Sequence, residues 1–134
     1  MEAGIRLFLE GVFEGKEPDA EITEILNDTP RRVAEAFETQ LLSGYAADIT
    51  TVVKPMALAG AIGPVALRGI GFSSFCRHHL LPYRGVAHLG FVPDAHHIGL
   101  GTLASLVDTL SRRLTLQEPL TADIADALWQ ALEP

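Results

Sequence analysis

Two strand-like segments on either side of a histidine-rich turn constrain the fold of this chain most strongly. Alternating side chains run over residues 65–72, and a second alternating segment covers 86–92. A period of two is typical of β-strands, because successive side chains point to opposite faces of a sheet. The short connection predicts an antiparallel hairpin that presents the turn at 76–79, and loops held by strands are where functional groups are well fixed.

The turn holds the only cysteine of the chain and two of its five histidines, which are Cys76, His78 and His79. A thiolate and an imidazole three residues apart can reach one metal ion, and zinc favours this mixture of ligands. The turn supplies two zinc ligands, Cys76 and His79, whereas a working site needs at least one more. The alternative is a structural role, in which a buried thiol and two hydrogen-bonded histidines bind no metal.

Helical periodicity predicts three helices before the hairpin. The first covers residues 3–13, and a short second helix covers 22–26. A third is predicted to start with Thr29 as its cap and Pro30 at the first helical position, and to stop near Gly44.

Two longer helices are predicted after the second strand. Residues 93–95 predict a turn, which continues into the adjacent pair His96-His97. The spacing of leucines over 103–114 predicts a helix, an interruption follows at 117–119, and Thr121 is a suitable cap for the last helix. The predicted fold class is therefore α+β, with N-terminal helices, an antiparallel β-hairpin and two long helices packed against the hairpin.

Composition narrows the class of protein. A chain of 134 residues with 48% hydrophobic and 20% charged residues is typical of one soluble domain. A net charge of -7 argues against nucleic acid as a partner, because phosphate backbones require basic surfaces. No apolar stretch is long enough to span a bilayer, and no secretory signal follows Met1. A single cysteine that serves as a metal ligand suits a reducing compartment, so we expect a cytoplasmic protein.

Several motifs occur in a fixed order along nearly the whole chain. The central one is a Cys-x-His-His turn before a Leu-x-Pro-type segment, at residues 76–82. The others lie on both sides of it, at 28–34, 43–45, 85, 88, 98–100, 111–114, 117–118 and 120–121. Together these motifs resemble the GTP cyclohydrolase I family, which has the tunnelling fold (T-fold). The resemblance implies one domain over 1–134, with a helical N-terminal region at 1–45 and a T-fold-like region at 65–134.

The resemblance also implies roles for individual residues. Cys76 and His79 would bind Zn²⁺, and His78 would transfer protons beside the metal. Gln117 and Glu118 would recognise the amidine- or guanidine-like edge of a purine or pterin, because a carboxylate facing two N–H donors forms bidentate, charge-assisted hydrogen bonds. In the family reaction, zinc activates a water that attacks C8 of the guanine ring, the imidazole ring opens, and formate leaves.

Departures from the family pattern concern mainly the phosphate end of the pocket. Gly101, Thr102 and Ser105 stand where the family has Ser-Lys and an arginine that bind the triphosphate, and Pro119 replaces a further arginine. Without these cations we expect a substrate that is smaller or less phosphorylated than GTP. Arg77 replaces an acidic residue, and it either binds a carboxylate or phosphate of the substrate or forms a surface ion pair.

The third zinc ligand of the family lies in a His-x-Cys element on strands that would follow Pro134. A separate polypeptide could supply these strands, or the copy could be inactive. Alternatively, the third position is filled by water or by a residue of this chain, namely His88, His96, His97 or Glu118. We favour this last explanation because His96-His97 is an additional metal-capable pair, although a strand histidine such as His88 more often has a structural or subunit-contact role.

The sequence thus predicts a zinc-dependent hydrolase that cleaves a C–N bond in a purine- or pterin-like nitrogen heterocycle. The resemblance implies a symmetric homo-oligomer with sites between subunits. Two alternatives stay open. One is a genuine GTP cyclohydrolase I, converting GTP to dihydroneopterin triphosphate and formate, that is completed by a partner chain. The other is a purine- or pterin-binding module without catalytic activity.

Overall fold

The computed structural model describes residues 1–60 and 63–132. The chain divides into two compact units, Met1–Leu41 and Leu42–Pro134. The first unit is entirely helical, and the second contains all the strands together with the remaining helices. One domain over the whole chain stays a prediction.

The first unit consists of two helices that pack on each other, α1 (Glu2–Val12) and α2 (Ala20–Ala36). A π-helical turn, Phe37–Leu41, continues α2. Helix α1 confirms the first predicted helix, which began and ended within one residue of the observed bounds.

Helix α2 corrects the prediction of two separate helices with a boundary at Thr29. The N-cap is Asp19, whose Oδ1 accepts a hydrogen bond from the N–H of Ile22 at 2.8 Å. From there the helix runs through Pro30 without interruption. A proline inside a helix removes one i→i−4 hydrogen bond, and this single loss does not end a helix that is well capped and continuously periodic on both sides.

The second unit starts with a 3₁₀ turn at Ser43–Tyr45 and then alternates short and long elements. Two elements are long strands and two are long helices, while the others span two to four residues. In chain order they are α3 (Ile49–Val52), β1 (Met56–Ala57), β2 (Val65–Cys76), β3 (Pro82–Phe91), β4 (His96–His97), α4 (Leu100–Ser111), β5 (Leu114–Thr115) and α5 (Gln117–Leu132).

Strands β2 and β3 form the predicted antiparallel hairpin, in register from Val65 opposite Phe91 to Phe75 opposite Pro82. A bulge interrupts the pairing at Gly69, whose φ of 80° lies in the left-handed region that favours glycine. Strand β5 pairs with the end of β2 in parallel, which gives a three-stranded sheet in the order β3-β2-β5. The hairpin therefore carries the turn at its tip.

The core of the second unit lies between this sheet and the two long helices. Helix α4 contacts both β2 and α5. The buried hydrophobic side chains are Val53, Ile98, Leu103, Leu106, Val107, Leu110, Leu120, Ile124, Leu128 and Leu132. Inward-facing residues of the hairpin pack on this cluster, among them Leu67, Phe72 and Leu89. The predicted α+β fold with a helix-covered hairpin is confirmed, with no closed barrel within residues 1–60 and 63–132.

Two further boundaries differ from the prediction. Helix α5 begins at Gln117, so the segment 117–119 forms its first turn. A backbone N–H in the first turn has no helical partner, and Pro119, which lacks an N–H, is therefore tolerated there. Thr121 lies inside this helix and donates its hydroxyl to the carbonyl oxygen of Gln117 at 2.8 Å. The pair His96–His97 forms strand β4 with β1 rather than a turn. No helix in the described parts of the chain has the length and apolar character that a membrane span requires.

Candidate functional site

The turn at the tip of the hairpin is held by its own backbone. The N–H of Leu80 donates to the carbonyl oxygen of Cys76 at 2.8 Å, and the N–H of Cys76 donates to the carbonyl oxygen of Leu81 at 2.9 Å. Leu80 has a φ of 56°, which is unusual for a residue with a branched side chain. These features fix the direction in which the turn presents its side chains.

The two predicted zinc ligands lie side by side in this turn. The Sγ atom of Cys76 is 3.7 Å from Nδ1 of His79. With Zn–S and Zn–N bonds of about 2.3 and about 2.0 Å, a tetrahedral angle places the two donor atoms about 3.5 Å apart. The pair therefore fits two corners of a tetrahedral zinc site.

The same turn lowers the pKa of the Cys76 thiol below its ordinary value. The largest cause is the hydrogen bond from the backbone N–H of His78, followed by hydrogen bonds from the side chain and the backbone of His79. These bonds stabilise the thiolate, which is the form of cysteine that binds metals. The turn thus favours the form of Cys76 that a zinc ligand requires.

The other two turn residues, Arg77 and His78, are exposed. The imidazole of His78 is edge-on to that of His79, with 6.2 Å between the ring centres. His78 is consequently next to the Cys76–His79 pair and accessible to solvent. This position is compatible with its predicted role in proton transfer, and that role stays a prediction.

A third metal ligand is not brought to the turn. Among the residues that the structure describes, no three His, Cys, Asp or Glu side chains are grouped so that they could hold one ion. His96 and His97 are paired with Met56–Ala57, and Nδ1 of His88 accepts a hydrogen bond from the N–H of Gly69 at 3.2 Å. The expectation that this chain fills the position with one of its own histidines or Glu118 therefore finds no support among the described residues.

The predicted substrate-recognition pair is at the start of α5. Gln117 and Glu118 are both exposed, and Gln117 borders a cleft of about 190 Å³ between α5 and β3. Strand β5 links this helix to the metal-binding turn, because Thr115 pairs with Cys76 and Gln117 follows two residues later. The fold therefore brings the two predicted parts of the site to the same end of the sheet.

Arg113 lies near this site and outside the helix in which the sequence placed it. The helix predicted over 103–114 would include Arg113, but α4 stops at Ser111. Instead, Nε of Arg113 donates to the carbonyl oxygen of Gly44 at 2.9 Å, and its guanidinium lies over the ring of Tyr45. No local pattern could have predicted these contacts, because 69 residues separate Gly44 from Arg113.

Comparisons with known proteins show what this chain is similar to. The family model for GTP cyclohydrolase I matches residues 1–134. GTP cyclohydrolase 1 of Bartonella quintana is 40% identical over 136 residues, which cover 100% of this chain and 63% of that protein. GTP cyclohydrolase 1 of Hyperthermus butylicus is 41% identical over 131 residues, which cover 98% of this chain and 63% of that protein. The chain thus spans about 60% of the length of the curated relatives it matches.

Proposed function

Because this chain belongs to the GTP cyclohydrolase I family, we propose that it acts as a zinc-dependent hydrolase. It cleaves a C–N bond in a purine- or pterin-like nitrogen heterocycle that carries less phosphate than GTP. The observation that carries the proposal is the Cys76–His79 pair, 3.7 Å apart on a closed turn beside the start of α5. A reducing cytoplasm is the compartment that suits such a thiolate.

Zinc would be held by Sγ of Cys76 and Nδ1 of His79. When bound, the ion supplies Lewis acidity that makes hydrolysis possible near neutral pH. His78, exposed beside this pair, accepts and releases a proton at a ring nitrogen.

The exposed pair Gln117 and Glu118 orients the heterocycle. The carboxylate of Glu118 accepts hydrogen bonds from two N–H groups on one edge of the ring, and the amide of Gln117 completes the contact. Both residues belong to the first turn of α5, so their backbone is fixed by the helix. The substrate class follows from this pairing, because purines and pterins share an amidine-like edge.

The substrate has little phosphate because the cations that would bind a triphosphate are missing. The first two turns of α4 carry Gly101, Thr102 and Ser105, and none of these residues is basic. An uncharged or monophosphorylated nucleoside does not need these counter-ions. Guanosine and GMP are therefore preferred over GTP.

Activity assays on the zinc-loaded protein test the proposal. Guanosine, GMP, GTP and a reduced pterin are incubated with the protein, and formate and ring-opened products are quantified. We expect turnover of guanosine or GMP, and a loss of at least about 100-fold in His78→Ala, a typical effect of removing a general acid–base group. Turnover of none of the compounds, or equal turnover by His78→Ala, would refute the proposal.

A second candidate function follows from the absent third ligand. Within residues 1–60 and 63–132 no side chain completes the metal site, and the relatives are longer than this chain. In this alternative the protein is a component of a GTP cyclohydrolase I in which a second polypeptide supplies the remaining ligand. This alternative predicts GTP turnover only when the chain is mixed with a polypeptide that carries a His-x-Cys element.

A further inference from the structure

The proposed function uses two segments that are far apart in sequence, the Cys76–His79 turn and the pair Gln117-Glu118. Catalysis that joins a metal site to a recognition site depends on their spacing, because a displacement of about 1 Å can cost about 100-fold in rate. Strand β5 connects them, because it pairs with the end of β2 and leads directly into α5.

A cluster that we name the Tyr45–Arg113 clamp lies between the two segments and consists of Gly44, Tyr45, Arg113 and Leu114. Nε of Arg113 donates to the carbonyl oxygen of Gly44 at 2.9 Å, and the guanidinium carbon is 5.9 Å from the centre of the Tyr45 ring. The N–H of Leu114 donates to the hydroxyl oxygen of Tyr45 at 3.2 Å. In addition, the N–H of Gly44 donates to the carbonyl oxygen of Arg112 at 3.0 Å.

The clamp is bonded to the strand that carries the metal-binding turn. The hydroxyl of Ser74 donates to the carbonyl oxygen of Arg113 at 3.1 Å, and Ser74 is fully buried. Immediately after the clamp, Thr115 pairs with Cys76 in the parallel bridge between β5 and β2. The clamp residues thus fix the segment through which the end of β2 is joined to the start of α5.

We propose that Tyr45 and Arg113 are positioning residues that set the distance between Cys76 and the pair Gln117-Glu118. They touch neither metal nor substrate, and they act by holding Leu114 and Thr115 against the end of β2. The inference rests on the proposed function for its catalytic consequence. Its geometric content concerns this chain alone and is tested without metal or substrate.

The geometric test uses a nitroxide attached to Cys76, which is the only cysteine and needs no engineered label site. Paramagnetic broadening of the Gln117 and Glu118 amide signals reports their distance from the label. In Tyr45→Leu we expect this broadening to change at least two-fold, and in Tyr45→Phe, which keeps the ring, by a smaller amount. Amides of Ser73 and Arg84, which face each other in the hairpin, serve as internal references and stay unchanged. Unaltered broadening of Gln117 and Glu118 in Tyr45→Leu would overturn the inference.

The catalytic test compares the same variants in the formate assay. Tyr45→Leu is expected to lower kcat by about 10-fold to about 100-fold while KM and Co²⁺ uptake stay within about two-fold of wild type. Arg113→Gln is expected to lower kcat in the same way, and Arg31→Gln is its matched control, because Arg31 forms an exposed ion pair with Glu35 in α2. Loss of Co²⁺ uptake in Tyr45→Leu, or unchanged kcat together with altered broadening, would contradict the positioning role. If wild-type protein released no formate, the proposed function would fail and the broadening result would still decide the clamp.

Discussion

Sγ of Cys76 lies 3.7 Å from Nδ1 of His79, across a turn that two backbone hydrogen bonds close. The separation matches that of two donor atoms on one tetrahedral ion. The turn therefore fits the metal-binding role proposed for it, with two of the ligands that a zinc site requires.

The lowered pKa of the Cys76 thiol predicts its reactivity in the metal-free protein. A lower pKa means that the thiolate forms at lower pH, so alkylation by iodoacetamide should reach half its maximal rate at a lower pH than in an unstructured peptide with one cysteine. In His79→Ala this midpoint should rise, since one hydrogen-bond donor is lost. It should stay below that of the peptide, because the backbone N–H of His78 is the larger cause and is retained. A wild-type midpoint at or above that of the peptide would contradict the stabilisation described for the turn.

Gly44 is predicted to tolerate no side chain. A Cβ atom at this position would meet the backbone oxygens of Thr109 and Arg112, the latter at 2.7 Å, and backbone atoms cannot move aside cheaply. We expect Gly44→Ala to lower the free energy of unfolding by about 2 kcal/mol or more in urea denaturation.

Gly101→Ala is the control for this effect, because a Cβ atom at Gly101 would meet nothing within 4 Å. In helix α4 this substitution should leave stability unchanged or raise it by up to about 1 kcal/mol. Equal effects of the two substitutions would show that the close contact at Gly44 has no energetic consequence.

Leu80 is predicted to be a strained position in the metal-binding turn. Its φ of 56° costs a residue with a side chain about 1–2 kcal/mol, whereas glycine adopts it freely. Because the side chain is 58% exposed, Leu80→Gly loses little buried area and should leave stability unchanged or raise it by up to about 1 kcal/mol in thermal unfolding.

The neighbouring substitution Leu81→Gly provides the comparison. Leu81 is 64% exposed, and its φ is not positive. Glycine at this position therefore relieves no strain and only adds conformational entropy to the unfolded state. Stability should fall by up to about 1 kcal/mol. A larger loss at Leu80 than at Leu81 would argue against backbone strain in the turn.

Local patterns were sufficient to predict the hairpin, the two long helices that follow it and the position of the turn. The alternation along β2 and β3 has one dominant physical cause, the burial of one face, and the sheet confirms it. The same holds for α5, where Ile124, Leu128 and Leu132 are buried as their spacing predicted. The helix boundaries were less predictable. Thr29 and Thr121 both suit a cap chemically, yet Asp19 caps α2 and α5 begins at Gln117.

Contacts between distant segments could not be predicted from the sequence. The pairing of His96–His97 with β1 joins residues about forty positions apart, so no local signal marks β4 as a strand. The contact of Arg113 with Gly44 has the same origin. For the candidate site, the sequence predicted which residues of the turn could serve as ligands. The distances within the turn, and the position of the turn relative to Gln117, could be obtained only from the folded chain.

Metal uptake by purified protein tests the central claim most directly. Co²⁺ is titrated into wild type, Cys76→Ala, His79→Ala and, as a control, His97→Ala, and both bound metal and the thiolate-to-cobalt absorption band are measured. The account predicts that wild type and His97→Ala bind the ion with this band and that Cys76→Ala and His79→Ala do not. Absence of uptake by wild type, or equal uptake by Cys76→Ala, would contradict it.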